Sequence, residues 1–119
     1  MAYDAVLGKQ EFKAATQVID FSHPPIVQAM KVKANQGELS AGLIVALDAN
    51  GEVVPYDSAG SSPVNEPVGI LVYGIDTSKE TVGNVLRHGV AVKASLKVGD
   101  NPPTANDLKA LEAKGIYVV

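Results

Sequence analysis

The chain has no cysteine and no tryptophan. Without cysteine there are no disulfides, thiolate metal sites or cysteine nucleophiles, so added stability must come from packing or from partners. This usage fits a reducing compartment. Aromatic residues make up only 5% of the 119 positions, which is thin for a base-stacking platform. An excess of positive charge is also lacking: 10 Lys and Arg against 13 Asp and Glu give a net charge of −3. An acidic domain gains no counterion-release energy from phosphates, so no nucleic-acid partner is expected. No apolar run approaches the ~18 residues that a membrane span needs. Met1-Ala2-Tyr3-Asp4 lacks a basic head followed by an apolar block, so neither a membrane partner nor a secretory signal is expected.

What is present is a globular composition, 46% hydrophobic, at a length that suits one domain. Such a domain buries a modest core and gains from oligomerisation. No internal repeat at a solenoid period appears.

Residues 1–25 read as an N-terminal arm, with Tyr3, Val6, Leu7, Phe12, Val18, Ile19 and Phe21 interspersed among polar residues. Phe12, Ala15 and Ile19 fit one helical face, while residues 16–21 fit a strand equally well, and the periodicity does not decide. Pro24 and Pro25 lack backbone donors and push the chain toward extended geometry, which marks a boundary there. Residues 26–119 are expected to form a single β-rich domain. Met30-Lys31-Val32-Lys33 alternates as a strand with one wet face. Residues 42–48 are almost continuously apolar, as a strand buried on both faces requires. Ala49-Asn50-Gly51 is the strongest turn, and Pro55 in the returning strand places that strand at a sheet edge. Residues 58–67 read as a polar, proline-bounded loop. Residues 68–75 form a second apolar run in which Gly69 and Gly74 mark bends or close backbone approach. Residues 81–96 read as one long bent strand or two short ones broken at Gly89, with Val90, Val92 and Ala94 alternating against Ala91, Lys93 and Ser95.

A single helix is expected near the C-terminus, over about residues 104–114. Thr104 caps it, Asp107 stands at the third helical position, Leu108 and Leu111 supply its apolar stripe, and Gly115 ends it. It is shorter than the ~12–15 residues that hold alone in water, so it must dock on the sheet. The fold class is therefore mainly β with one short C-terminal helix, an α+β arrangement.

Chemistry is sparsely signalled. His23 and His88 are the only histidines, and neither has a nucleophile or further ligands at useful spacing, so both read as surface or interface residues. Asp48-Ala49-Asn50-Gly51-Glu52 fails the spacing of a calcium loop and reads as a hairpin turn. No nucleotide-binding glycine loop occurs. Ala29-Met30-Lys31-Val32 is similar to the lysine motif of biotin carrier domains, but Lys31 falls in an alternating strand rather than at a hairpin tip. No catalytic, cofactor or metal residues are expected, and the chain does not read as an enzyme.

In order, Gly42-Leu43-Ile44-Val45-Ala46-Leu47-Asp48, Asn50-Gly51-Glu52-Val53-Val54-Pro55, Pro67-Val68-Gly69-Ile70-Leu71-Val72, Val85-Leu86-Arg87-His88-Gly89-Val90-Ala91-Val92 and the short helix before Gly115-Ile116-Tyr117-Val118 resemble the head decoration proteins of lambda-type tailed phages. The likeness rests on the succession of these pieces. It implies a β-clip-like fold, a homotrimer, and a capsid-stabilising virion protein made in the host cytoplasm. Such a protein binds the major capsid protein on the outside of the expanded head and cements the shell against internal pressure. On this reading the N-terminal arm adds a strand to the capsid surface, with Tyr3, Val6, Leu7 and Phe12 as the residues that fill pockets. Alternative readings are another phage structural adaptor, in tail or baseplate, or a biotin- or lipoyl-carrier-like domain modified at Lys31.

Overall fold

A computed structural model describes residues 17–119. Tyr3, Val6, Leu7 and Phe12, the expected capsid-binding residues, lie outside the described residues. The described chain is mainly β, with nine strands and one short α-helix near the C-terminus.

The strands are β1 (Ile19–Asp20), β2 (Ile26–Lys31), β3 (Glu38–Leu39), β4 (Ile44–Leu47), β5 (Val53–Pro55), β6 (Gly69–Leu71), β7 (Ile75–Asp76), β8 (Val82–Ala91) and β9 (Ile116–Val118). Helix α1 spans Ala105–Glu112. The larger sheet runs β1-β8-β6-β4-β5, with β2 and β9 also paired to β8, and β3 pairs with β7 in a separate ribbon. Every pairing between named strands is antiparallel except β8 with β9, which is parallel.

Strand periodicity explains the apolar runs, because successive side chains leave a strand on opposite faces. Ile44 and Ala46 of β4, Ile70 of β6 and Leu86 of β8 enter one core, which Leu111 of α1 and Ile116 of β9 close. Val45, Leu71 and Val85, their neighbours in sequence, enter a second core on the other face, covered by Leu39 and Ile75 of the β3–β7 ribbon and by Val32. The centre of the sheet is thus dry on both sides, as residues 42–48 foreshadow. Gly69 is set by this packing: a Cβ there would stand 2.5 Å from the Leu86 carbonyl oxygen and would also collide with Val85 Cγ1.

The β4–β5 hairpin forms where Asn50-Gly51 predicts it. Gly51 has φ +79°, and Asp48 Oδ1 accepts from the backbone N–H groups of Asn50 and Glu52, each at 2.9 Å. Helix α1 carries a reciprocal capping box: Asp107 Oδ2 accepts from Thr104 N at 2.8 Å, and Thr104 Oγ1 accepts from Asp107 N at 3.3 Å. Gly115, at φ +86°, turns the chain out of the helix region into β9.

Two expectations are corrected and one is refined. Val18 and Ile19 are buried in the first core and β1 pairs with the end of β8, so residues 18–20 belong to the body and not to an arm ending at residue 25. The alternation through residues 93–95 is a 3-10 helix, Lys93–Ser95: Val92 N and Lys93 N still donate to the Val18 and Val119 carbonyls, and the N–H groups of Ser95 and Leu96 then turn back to the carbonyls of Val92 and Lys93. The refinement concerns residues 68–75, with glycines at 69 and 74, which are divided between the two sheets, β6 in one and β7 in the other.

Candidate assembly surface

Strand β2 begins immediately after Pro25, earlier than the alternation at Met30 predicts, and has water on both faces for most of its length. It pairs with β8 from Ile26↔His88 to Lys31↔Val82, with an irregularity between Ile26 and Val27. Among the described residues β8 is its only partner strand. No other strand of the described residues pairs with its outer edge, and an unpaired edge is the template on which another strand can add.

Beside polar Gln28 and charged Lys31, this edge carries apolar side chains that are exposed to water. Ile26 is 58% exposed, Val27 42% and, on the adjoining strand, Val82 60%. Val27 lies opposite Leu86, Ala29 opposite Asn84 and Lys31 opposite Val82. Cross-strand partners share a face, so Val27, Ala29 and Val82 sit on one side of the ribbon together with Asn84 and Lys31. The opposite side is held by polar contacts: Arg87 Nη1 donates to Gln28 Oε1 at 2.8 Å and approaches Met30 Sδ at 3.4 Å. At the far end Lys31 Nζ stands 3.4 Å from Glu52 Oε2 of the β4–β5 turn. Lys31 is thus the last residue of a strand, in an ion pair, and not the tip of a hairpin.

A second surface lies at the other end of β8. A groove of about 620 Å³ is lined by Lys93, Leu96, Pro102, Pro103 and Val119. Ser95 Oγ, in the 3-10 helix beside it, donates to the carbonyl of Gln17. Gln17, the first described residue, therefore lies near this groove. Tyr117 and Val119 of the terminal strand region are also exposed.

The titratable groups serve local structure. Asp20 is held below the usual carboxylate range by the backbone N–H of Ser22, and Asp76 by the hydroxyl and N–H of Ser78. The Tyr56 phenol is pushed above its ordinary value by burial and by the neighbouring Asp107 carboxylate. His23 and His88 come together, their ring centres 5.4 Å apart. Among the described residues no group of three or more His, Cys, Asp or Glu is placed to hold a metal ion. No helix of the described residues is long and apolar enough to cross a membrane.

Sequence reasoning missed Ile26, Val27 and Val82 as candidate contact residues. The signal was present: Ile26-Val27-Gln28-Ala29-Met30 runs for five residues without charge directly after two prolines. Comparison with protein-family models and with curated proteins finds no match for the chain.

Proposed function

We propose that this chain is a structural assembly protein, a capsid decoration protein of the kind found on lambda-type tailed phages, with a β-clip-like fold. It binds the outside of an expanded head as a homotrimer and stabilises the shell by non-covalent adhesion. The observation that carries this reading is the β2 edge, six residues long and unpaired on its outer side among the described residues, with Ile26 and Val82 more than half exposed beside it. Burying each of those side chains against a neighbour contributes about 1.5–3 kcal/mol, and an added strand satisfies the free backbone groups.

The reading divides the work between two surfaces. The β2 edge and its apolar face meet another subunit. Residues 1–16, which carry Tyr3, Val6, Leu7 and Phe12, meet the major capsid protein. Three such segments on one trimer make the second and third contacts effectively intramolecular, which raises avidity by about 10²–10⁴. On this reading one segment alone holds weakly and three together hold firmly.

Sedimentation equilibrium of the full chain tests the subunit half of the reading. The expected mass is three times 12.4 kDa. A ring of more than three subunits favours a tail or baseplate adaptor, and a monomer at all accessible concentrations removes the proposal.

A further inference from the structure

The two histidines of this chain occupy one place. His23 lies in the turn between β1 and β2, and His88 lies on β8, where it pairs with Ile26. Their ring centres are 5.4 Å apart with the planes at 67°. Neither is among the contact residues named above, Ile26, Val27 and Val82, although His88 stands opposite Ile26 where β2 begins.

Several features fix this meeting point. Pro24 and Pro25 follow His23 directly and restrict the backbone that carries it. Gly89, next to His88, has φ +134°, and a Cβ there would stand 3.2 Å from Pro25 Cα. The turn is therefore pressed onto β8 beside the imidazole pair. On its other side His88 rests on Gly115, where a Cβ would come within 2.7 Å of Nδ1. One ring is thus braced by β9 and the helix end, and the other stands in the exposed turn.

We propose that His23 and His88 form a two-imidazole chelate for one borderline divalent cation, Zn2+ or its Ni2+ and Cu2+ neighbours, completed by water. Metal–nitrogen bonds of about 2.0–2.1 Å at a tetrahedral ion place two imidazole centres roughly 5 Å apart, which matches the observed 5.4 Å. The edge-to-face tilt is removed by rotating the exposed His23 ring about χ2, a torsion with a broad minimum for histidine. Imidazole suits these cations and not Mg2+ or Ca2+, which take oxygen ligands. The Arg87 guanidinium reaches to Gln28 and Met30 on the opposite side of the ribbon, so it does not oppose a cation here. With two protein ligands the site is open and exchangeable. Occupied, it ties the turn of residues 21–25 to β8 at the point where the β2 edge starts.

The test is a Zn2+ titration of the full chain in chelator-free buffer at pH 7.5, followed by calorimetry and by the imidazole ring-proton NMR signals. The expected result is one Zn2+ per chain, with the His23 and His88 signals shifting together. His23→Gln is expected to weaken binding at least tenfold, and its exposed position leaves the fold intact. His88→Gln is expected to do the same, with native amide spectra confirming folding. Mg2+ is expected to give no shift. Unchanged affinity in His23→Gln, movement of only one histidine, or no saturable binding would overturn the proposal. None of these outcomes depends on whether the chain decorates a capsid.

Discussion

The Tyr56 phenol donates to Asp107 Oδ1 across 3.0 Å, and both residues are buried. Tyr56 follows β5, and Asp107 is the capping-box residue of α1. One carboxylate thus closes the start of the helix with Oδ2 and ties it to the sheet with Oδ1. Tyr56→Phe leaves that buried oxygen without its donor and is expected to lower stability by about 1–3 kcal/mol. Asp107→Ala also removes the bond from Thr104 N, one half of the capping box, and is expected to cost more than Tyr56→Phe. Urea unfolding of the two variants checks both the size and the order.

The same contact sets a pH dependence. The folded protein holds the Tyr56 proton above the ordinary phenol value of 10.0. The unfolded chain therefore loses this proton first as pH rises. The contribution is fully present below about pH 10 and is lost as pH climbs through the folded value. Urea midpoints measured across the alkaline limb are expected to fall with pH in the wild type and less steeply in Tyr56→Phe.

Gly69 sits where the β6 backbone meets β8. Gly69→Ala forces a Cβ against the Leu86 carbonyl and the Val85 side chain, neither of which has room to retreat inside the sheet. The variant is expected to lose several kcal/mol, as overpacking at a rigid site does, at or above the ~1–3 kcal/mol typical of cores. Gly51→Ala in the exposed turn meets nothing within 4 Å, so it bears only the positive-φ penalty and is expected to cost less. Thermal melts of the pair separate the two causes.

Charge on the β2 edge separates folding from assembly. Ile26→Lys with Val82→Lys replaces two exposed side chains with the residue that natural edge strands use to block pairing. Monomer stability is expected to change little, since exposed substitutions away from special features stay within about 0.5 kcal/mol. The sedimentation mass is expected to fall toward a single chain. An unchanged oligomer would place the subunit contact elsewhere.

The arm must be cut at the right residue. Removing residues 1–16 leaves every described strand in place. Removing residues 1–21 also deletes Val18 and Ile19, both nearly inaccessible to water, and is expected to destabilise the body as loss of core side chains does. The first truncation is therefore expected to stay folded and to lose head binding, while the second loses both. Circular dichroism melts and head co-sedimentation distinguish them.

Much of this fold was legible because its signals are local. The Asn50-Gly51 turn, the Thr104–Asp107 cap and the Gly115 terminator each act within four residues, and each appears where the sequence places it. The apolar residues 42–48 announced a strand buried on both faces. What stayed hidden depends on distant partners. Of the residues that fit helix or strand equally, Gln17 and Val18 are helical, while Ile19–Asp20 is a strand through the pairing of β1 with the end of β8. The 3-10 helix at Lys93–Ser95 follows the last of these long-range backbone bonds, from Val92 N to Val18 and from Lys93 N to Val119. The Tyr56–Asp107 bond and the His23–His88 pair each join residues far apart in the chain, and no short motif encodes such meetings. Ile26 and Val27 read as ordinary strand residues until their lack of a covering layer is seen.

The central claim is adhesion to an assembled shell, and co-sedimentation with phage heads tests it most directly. Purified full-length chain is mixed with expanded heads stripped of their own decoration protein, and with unexpanded heads, and bound copies are counted. The account expects saturable binding to expanded heads in multiples of three and little binding to unexpanded ones. Absence of binding to expanded heads, or equal binding to both kinds, would contradict it.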